Sequence, residues 1–199
     1  MLASLAGIAV LTEDAQLFSR AVDFWRTRVP AYVYLSAADG SQGRPRPYRP
    51  GGQGPSNKNG WYGQDTFNKQ VDGISQETCR DIAHTQMGLA AALNAAETAR
   101  IQGVDLFDEE APRLAAGLEF HSRLLLGAKP PAYVCGGSVE SADDIMPTFE
   151  LGYTRLHDAK PMPNTKKHIK ENVRELPKLI NAWMCQWETL THATPSKEM

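Results

Sequence analysis

Apolar positions recur at helical spacing along much of the chain, and nowhere do they alternate in the two-residue rhythm of a strand. Leu2, Leu5, Ala9, Leu17, Ala21, Phe24 and Trp25 fit the buried faces of one or two packed helices that end near Pro30. A further helix is predicted to begin after Ser75 and stop at Gly103, a residue suited to a left-handed C-cap. At about 100° per residue, its Ile82, Leu89, Leu93 and Ala96 share one face. The next helix is predicted from about Glu109 to Leu126, with Pro112 in its first turn and Gly127 as its stop. After Pro147 an amphipathic stretch places Glu150, Tyr153 and His157 on roughly one face. The segment from Lys166 to Ala193 predicts a final helix or helix pair interrupted near Pro177. The expected fold class is therefore all-α, in one domain spanning residues 1–199.

Two stretches break the periodicity. Between Ser36 and Gly73 lie eight of the sixteen glycines and four of the thirteen prolines, so no regular element is expected there. Loops this long within a compact domain are uncommon and are usually functional or disordered. This one carries Arg44, Arg46, Arg49, Lys58 and Lys69 among Tyr48, Trp61 and Tyr62. Cationic groups interleaved with flat rings suit an anionic, ring-shaped ligand, which makes Arg49, Trp61 and Tyr62 candidates for binding. An ordinary solvated surface loop has the same composition. Residues 129–147 form the second irregular stretch.

Composition removes several function classes. Lys and Arg number 21 against 23 Asp and Glu, so no polycation points to nucleic acid. No apolar run approaches the roughly 20 residues needed to cross a bilayer. The apolar start of the chain lacks a basic leader region and a small-residue cleavage site, and reads as helix instead of a secretory signal. Cys79, Cys135 and Cys185 are too few for a disulfide framework, although one bridge is possible and the redox compartment stays open. The five histidines show no tight ligand spacing, and no nucleotide or metalloprotease motif is present, so neither metal nor cofactor is expected.

The second predicted helix carries the clearest chemistry. Glu77, Arg80, Asp81, His84 and Gly88 fall within a wedge of about 100°, and Ala91 and Ala95 continue it. A charged cluster followed by small residues reads as a packed face whose polar end lines a cavity. A salt-bridged helix start would explain Glu77 and Arg80, but it gives His84 no role.

The strings E-T-C-R-D-I-A-H-T-Q-M-G-L, A-E-T-A-R-I-Q-G-V-D-L-F, R-L-A-A-G-L-E-F, F-E-L-G-Y and M-P-N-T together resemble the alginate lyase domain family, from about Phe18 to Thr191. Those proteins are polysaccharide lyases that act on uronic-acid polymers, including glucuronan and alginate. The resemblance implies a partial (α/α) toroid, no cofactor, an acidic polysaccharide as partner, and an extracellular or periplasmic setting. It also implies missing upstream helices, among them an asparagine-bearing segment, so the apolar face around Leu2, Leu5 and Leu11 is expected to be partly exposed. A uronate lyase removes the C5 proton beside a carboxylate and expels the O4-linked sugar. That chemistry needs a base, an acid and groups that neutralise the carboxylate. On this resemblance His84 and Tyr153 are the expected proton-transfer pair, with Glu77, Arg80 and Glu150 on the substrate. A non-catalytic acidic-sugar-binding remnant is one alternative. A helical-toroid glycoside hydrolase using two of Glu77, Asp81, Glu119 and Glu150 is the other.

Overall fold

A computed structural model of the chain describes residues 2–39, 71–140, 145–175 and 187–193. Arg49, Trp61 and Tyr62 lie outside the described residues. Among those residues the protein is all-α: α1 (Leu2–Leu11), α2 (Ala15–Tyr32), α3 (Ser36–Asp39), α4 (Ile82–Ile101), α5 (Leu106–Leu125), α6 (Thr148–Leu156), α7 (Pro163–His168) and α8 (Glu188–His192). Among the described residues, extended pairing is limited to one antiparallel bridge between Val33 and Ser75.

Local chemistry sets the ends. Asp14, Asp105 and Asp81 each cap a helix by accepting backbone N–H groups, at the starts of α2, α5 and α4 respectively. Asp81 adopts an extended conformation (φ −172°) and accepts from His84 N, so α4 starts at Ile82 and not just after Ser75. Residues 76–80 form turns instead. Asp105 likewise starts α5 earlier than the sequence suggested, which leaves Pro112 inside the helix beside a kink at Glu110 (φ −127°). Pro30 also sits inside a helix, because α2 continues to Tyr32.

Short connections fold α1 with α2 and α4 with α5 into helical hairpins, and α4 is the hub, packed against α1, α2, α5 and α6. Leu89, Leu93, Leu114, Leu118, Phe149 and Leu151 are fully buried at this junction. Trp25 is buried with them and donates from Nε1 to Ala92 O at 2.8 Å, which satisfies the one polar atom of its ring. Helix α6 lies alongside α4 and runs in the same direction. Met146 N meets Gln86 Oε1, Gly152 packs on Leu93 and Leu118, and Arg155 pairs with Glu97. The approach at Gly152 is close enough that a Cβ would overlap a Leu118 methyl group.

The N-terminal face is apolar and partly open, with Ile8 51% and Leu11 84% exposed, while Leu2 is buried. Among the described residues no helix is long and apolar enough to cross a membrane.

Candidate functional site

The turn before α4 and the first turn of α4 gather four of the residues singled out in the sequence. Asp81 serves two partners: Oδ1 accepts from His84 N at 2.7 Å and Oδ2 meets His84 Nδ1 at 2.6 Å. Nδ1 therefore carries a hydrogen donated to the carboxylate, which in the neutral ring leaves Nε2 as the nitrogen with the lone pair. Arg80 reaches Glu77 at 3.2 Å and approaches Asp81 Oδ2 at 3.8 Å. The His84 side chain is 36% exposed and that of Arg80 38%.

A disulfide between Cys79 and Cys135 ties this turn to the irregular stretch that precedes α6. Neither cysteine lies in a C-x-x-C motif, and their separation of 56 residues gave no local hint of pairing. On the buried side of the turn, Ser75, Thr78 and His121 form a hydrogen-bonded cluster that anchors it to α5.

Two residues outside the earlier candidates complete the site. Tyr32, at the end of α2, lies over Gly88 with its hydroxyl 3.5 Å from His84 O, and a Cβ on Gly88 would overlap that hydroxyl. The Arg28 guanidinium lies over the Tyr32 ring, 5.5 Å from its centroid. Together with Phe24, Ala91 and Ala92 they line a cavity of about 220 Å³ on the same face of α4 as His84. Of the small residues on the wedge, Gly88 and Ala91 are thus a cavity wall, whereas Ala95 belongs to the core. Burial pushes the Tyr32 phenol well above the ordinary tyrosine range, and the negative charge of Glu77 adds to the effect. Tyr32 therefore stays protonated and acts as a donor.

The structure does not bring Tyr153 to His84. Tyr153 is a buried core residue of α6, stacked on His157 with ring centroids 4.7 Å apart. Its neighbour Gly152 packs at the level of Leu93, nine residues and roughly 13 Å along α4 from His84. Glu150 is also displaced from the expected role. It is fully buried and held by Arg174 through two bonds of 2.7 and 2.9 Å, so it is a core ion pair and not a substrate contact. Glu119 is consumed in the same way, accepting from Asn164 N, Asn164 Nδ2 and Thr165 N and so capping α7. Neither carboxylate is left to join Glu77 or Asp81 as a hydrolytic pair. Among the described residues no three His, Cys, Asp or Glu side chains gather as a metal centre would require.

No family model, curated protein or solved structure matches the chain.

Proposed function

We propose that the protein is a polysaccharide lyase that cleaves a uronic-acid polymer of the alginate or glucuronan type by β-elimination, on a partial (α/α) toroid. The observation that carries this reading is the Asp81-oriented His84, one turn of α4 before Gly88, which lines a cavity bordered by Tyr32 and Arg28. The two antiparallel hairpins and the sequence resemblance support the toroid.

In the proposed reaction, His84 Nε2 takes the C5 proton and the C–H electron pair becomes the C4=C5 double bond. The C4–O4 bond breaks, and the leaving oxygen receives a proton from the Tyr32 hydroxyl. Arg80 and Arg28 offset the charge that builds on the substrate carboxylate, and Glu77 holds Arg80 in place. Asp81 keeps the imidazole in the tautomer that leaves Nε2 free and stabilises the ring once it is protonated.

The test is incubation of the purified protein with polymannuronate, polyguluronate and glucuronan while following the absorbance of an unsaturated uronate near the ultraviolet edge. Turnover on one of them, lost in His84→Ala, is the expected result. Saccharide binding without any unsaturated product would replace this reading with that of an acidic-sugar-binding protein.

A further inference from the structure

Helix α1 carries no charged residue along its whole length. Its inner face, Leu2, Ala6 and Ala9, is buried against α2 and α4. The opposite face consists of Ser4, Gly7, Ile8 and Leu11, spaced three or four residues apart, and all four are exposed. A surface helix ordinarily turns charged residues outward, and one that is apolar all round is covered on every side. The described residues leave the outer face of α1 open.

That face has a relief of its own. Ile8 and Leu11 stand out as a ridge. Beside them the groove between α1 and α2 has a volume of about 700 Å³ and is lined by Ser4, Leu5, Ile8, Arg20, Asp23 and Phe24. A ridge next to a groove on one surface is what a two-fold contact requires, since each copy must offer both halves of the fit. A Cβ added at Gly7 would meet no atom within 4 Å, which leaves room for a second helix to pass close. Two α1 helices crossing antiparallel also set each N-terminus against the other's C-terminus, an arrangement their dipoles favour.

The charges along the groove are self-complementary too. Arg20 and Asp23 lie one turn apart on α2, and both are exposed. Arg20 enters no ion pair among the described residues. The Asp23 carboxylate meets Arg26 at 3.6 Å, but Arg26 spends its two short bonds, of 2.8 and 2.7 Å, on Glu109. Under a two-fold axis the arginine of one copy faces the aspartate of the other, twice over. The two groove charges cancel, unlike the border of lysines and arginines with which interfacial helices meet anionic lipid.

We infer that this face is the interface of a two-fold dimer, in which the Ile8–Leu11 ridge of each copy sits in the α1–α2 groove of the other and Arg20 pairs with Asp23 of the partner subunit.

Sedimentation equilibrium of the full chain from about 1 to 100 µM tests it. A monomer–dimer equilibrium with a micromolar Kd is expected, as suits a contact built on one short helix hairpin. Leu11→Lys and Ile8→Glu change exposed side chains, so each should keep the helical dichroism of the wild type while raising Kd about tenfold or more. Arg20→Glu sets like charges across the axis and should weaken the dimer about tenfold at low salt, an effect that fades as salt is added. Combining it with Asp23→Arg exchanges the two signs and should restore the wild-type Kd. A chain that stays monomeric throughout overturns the inference, as does a dimer indifferent to Leu11→Lys and Ile8→Glu, or an assembly that grows beyond two copies. A double variant no tighter than Arg20→Glu overturns the charge pairing. A monomer that binds phosphatidylcholine vesicles, and loses that binding in Leu11→Lys, would assign the face to a lipid surface instead. None of these readouts depends on turnover, so the dimer and the lyase reading stand or fall separately.

Discussion

Asp81 holds a helix end with one carboxylate oxygen and an imidazole with the other, which couples local folding to the orientation of His84. The two duties can be separated. Asparagine caps a helix about as well as aspartate, but it offers the ring an amide in place of a charge. Asp81→Asn is therefore expected to keep most of the melting temperature while lowering turnover by about tenfold or more, with His84→Ala lowering it by roughly 10²–10⁴-fold. Calorimetry beside initial rates checks both. Gly88 offers a second probe, because a methyl group there collides with the Tyr32 hydroxyl. Gly88→Ala should cost about 1–3 kcal/mol in urea unfolding and reduce saccharide binding together with it. A variant with wild-type stability would mean that Tyr32 moves aside easily. At this scale the sequence was only partly legible. The grouping of Glu77, Arg80 and His84 could be read because the four residues from Glu77 to Arg80 form a turn with near-helical spacing even though α4 has not yet begun. Tyr32 could not be read, since its place against Gly88 is a contact across 56 positions with no local pattern. Tyr153 was misplaced because helical periodicity distinguishes a buried face from an exposed one but does not distinguish a core from a cleft.

Between elements, side chains from one helix repeatedly supply what another lacks. The start of α7 has no capping side chain of its own, as Met162 occupies the cap position, and Glu119 of α5 takes over by accepting three hydrogen bonds. Glu119→Ala should thus cost about 1–3 kcal/mol and loosen α7 before the rest of the molecule, which amide hydrogen exchange would show as protection lost first around Asn164 and Thr165. Exchange that remained uniform would argue against a cap supplied from α5. The Cys79–Cys135 bridge works at the same scale, joining the site turn to the stretch before α6. Replacing both cysteines by serine is expected to remove about 2–4 kcal/mol of stability. Helix existence was legible at this scale, as with α4 and α5, whose apolar stripes have the right period. Helix starts were less so: Asp81 and Asp105 decide them, but Asp105 stands close to Asp108, Glu109 and Glu110, and Asp81 lies inside a stretch whose helical spacing already begins at Glu77.

Over the whole molecule, the buried titratable groups bias folding against acid. His121 and His168 are both held neutral by burial, with pKa values down to about 4, and an unfolded histidine takes up its proton near 6.5. Their folded values are depressed, so the unfolded chain binds more protons, and the stability they confer above pH 6.5 is lost as pH falls from there toward 4. Glu97 extends the trend. Arg100 and Arg155 overcome its burial and hold it down to about 2, so its contribution is lost only below the ordinary glutamate range. Glu188 runs the other way, since burial raises it and favours the folded state at low pH. With two histidines against one glutamate, the urea midpoint is expected to decline by a few kcal/mol equivalent between pH 6.5 and 4. A midpoint flat across that window would show that neither histidine is buried in solution. No sequence pattern foretells this, because nothing in the strings that precede His121 and His168 signals their burial, and only tertiary packing sets their values.

The ends of the long interruption between α3 and residue 71 are held together from several directions. Arg113, 1% exposed, grips Asp39 with bonds of 2.8 and 3.1 Å. Asp72 takes up Ser36 N at 2.7 Å, and Tyr34 N donates to Ile74 O at 2.9 Å. The neck leads straight into Tyr32 on one side and into the turn before α4 on the other, where Gln76 N donates to Tyr32 O at 2.9 Å and Gln76 Nε2 to Ala31 O at 2.8 Å. The contacts that close it therefore also fix how far the end of α2 stands from the turn that carries Glu77, Arg80 and Asp81.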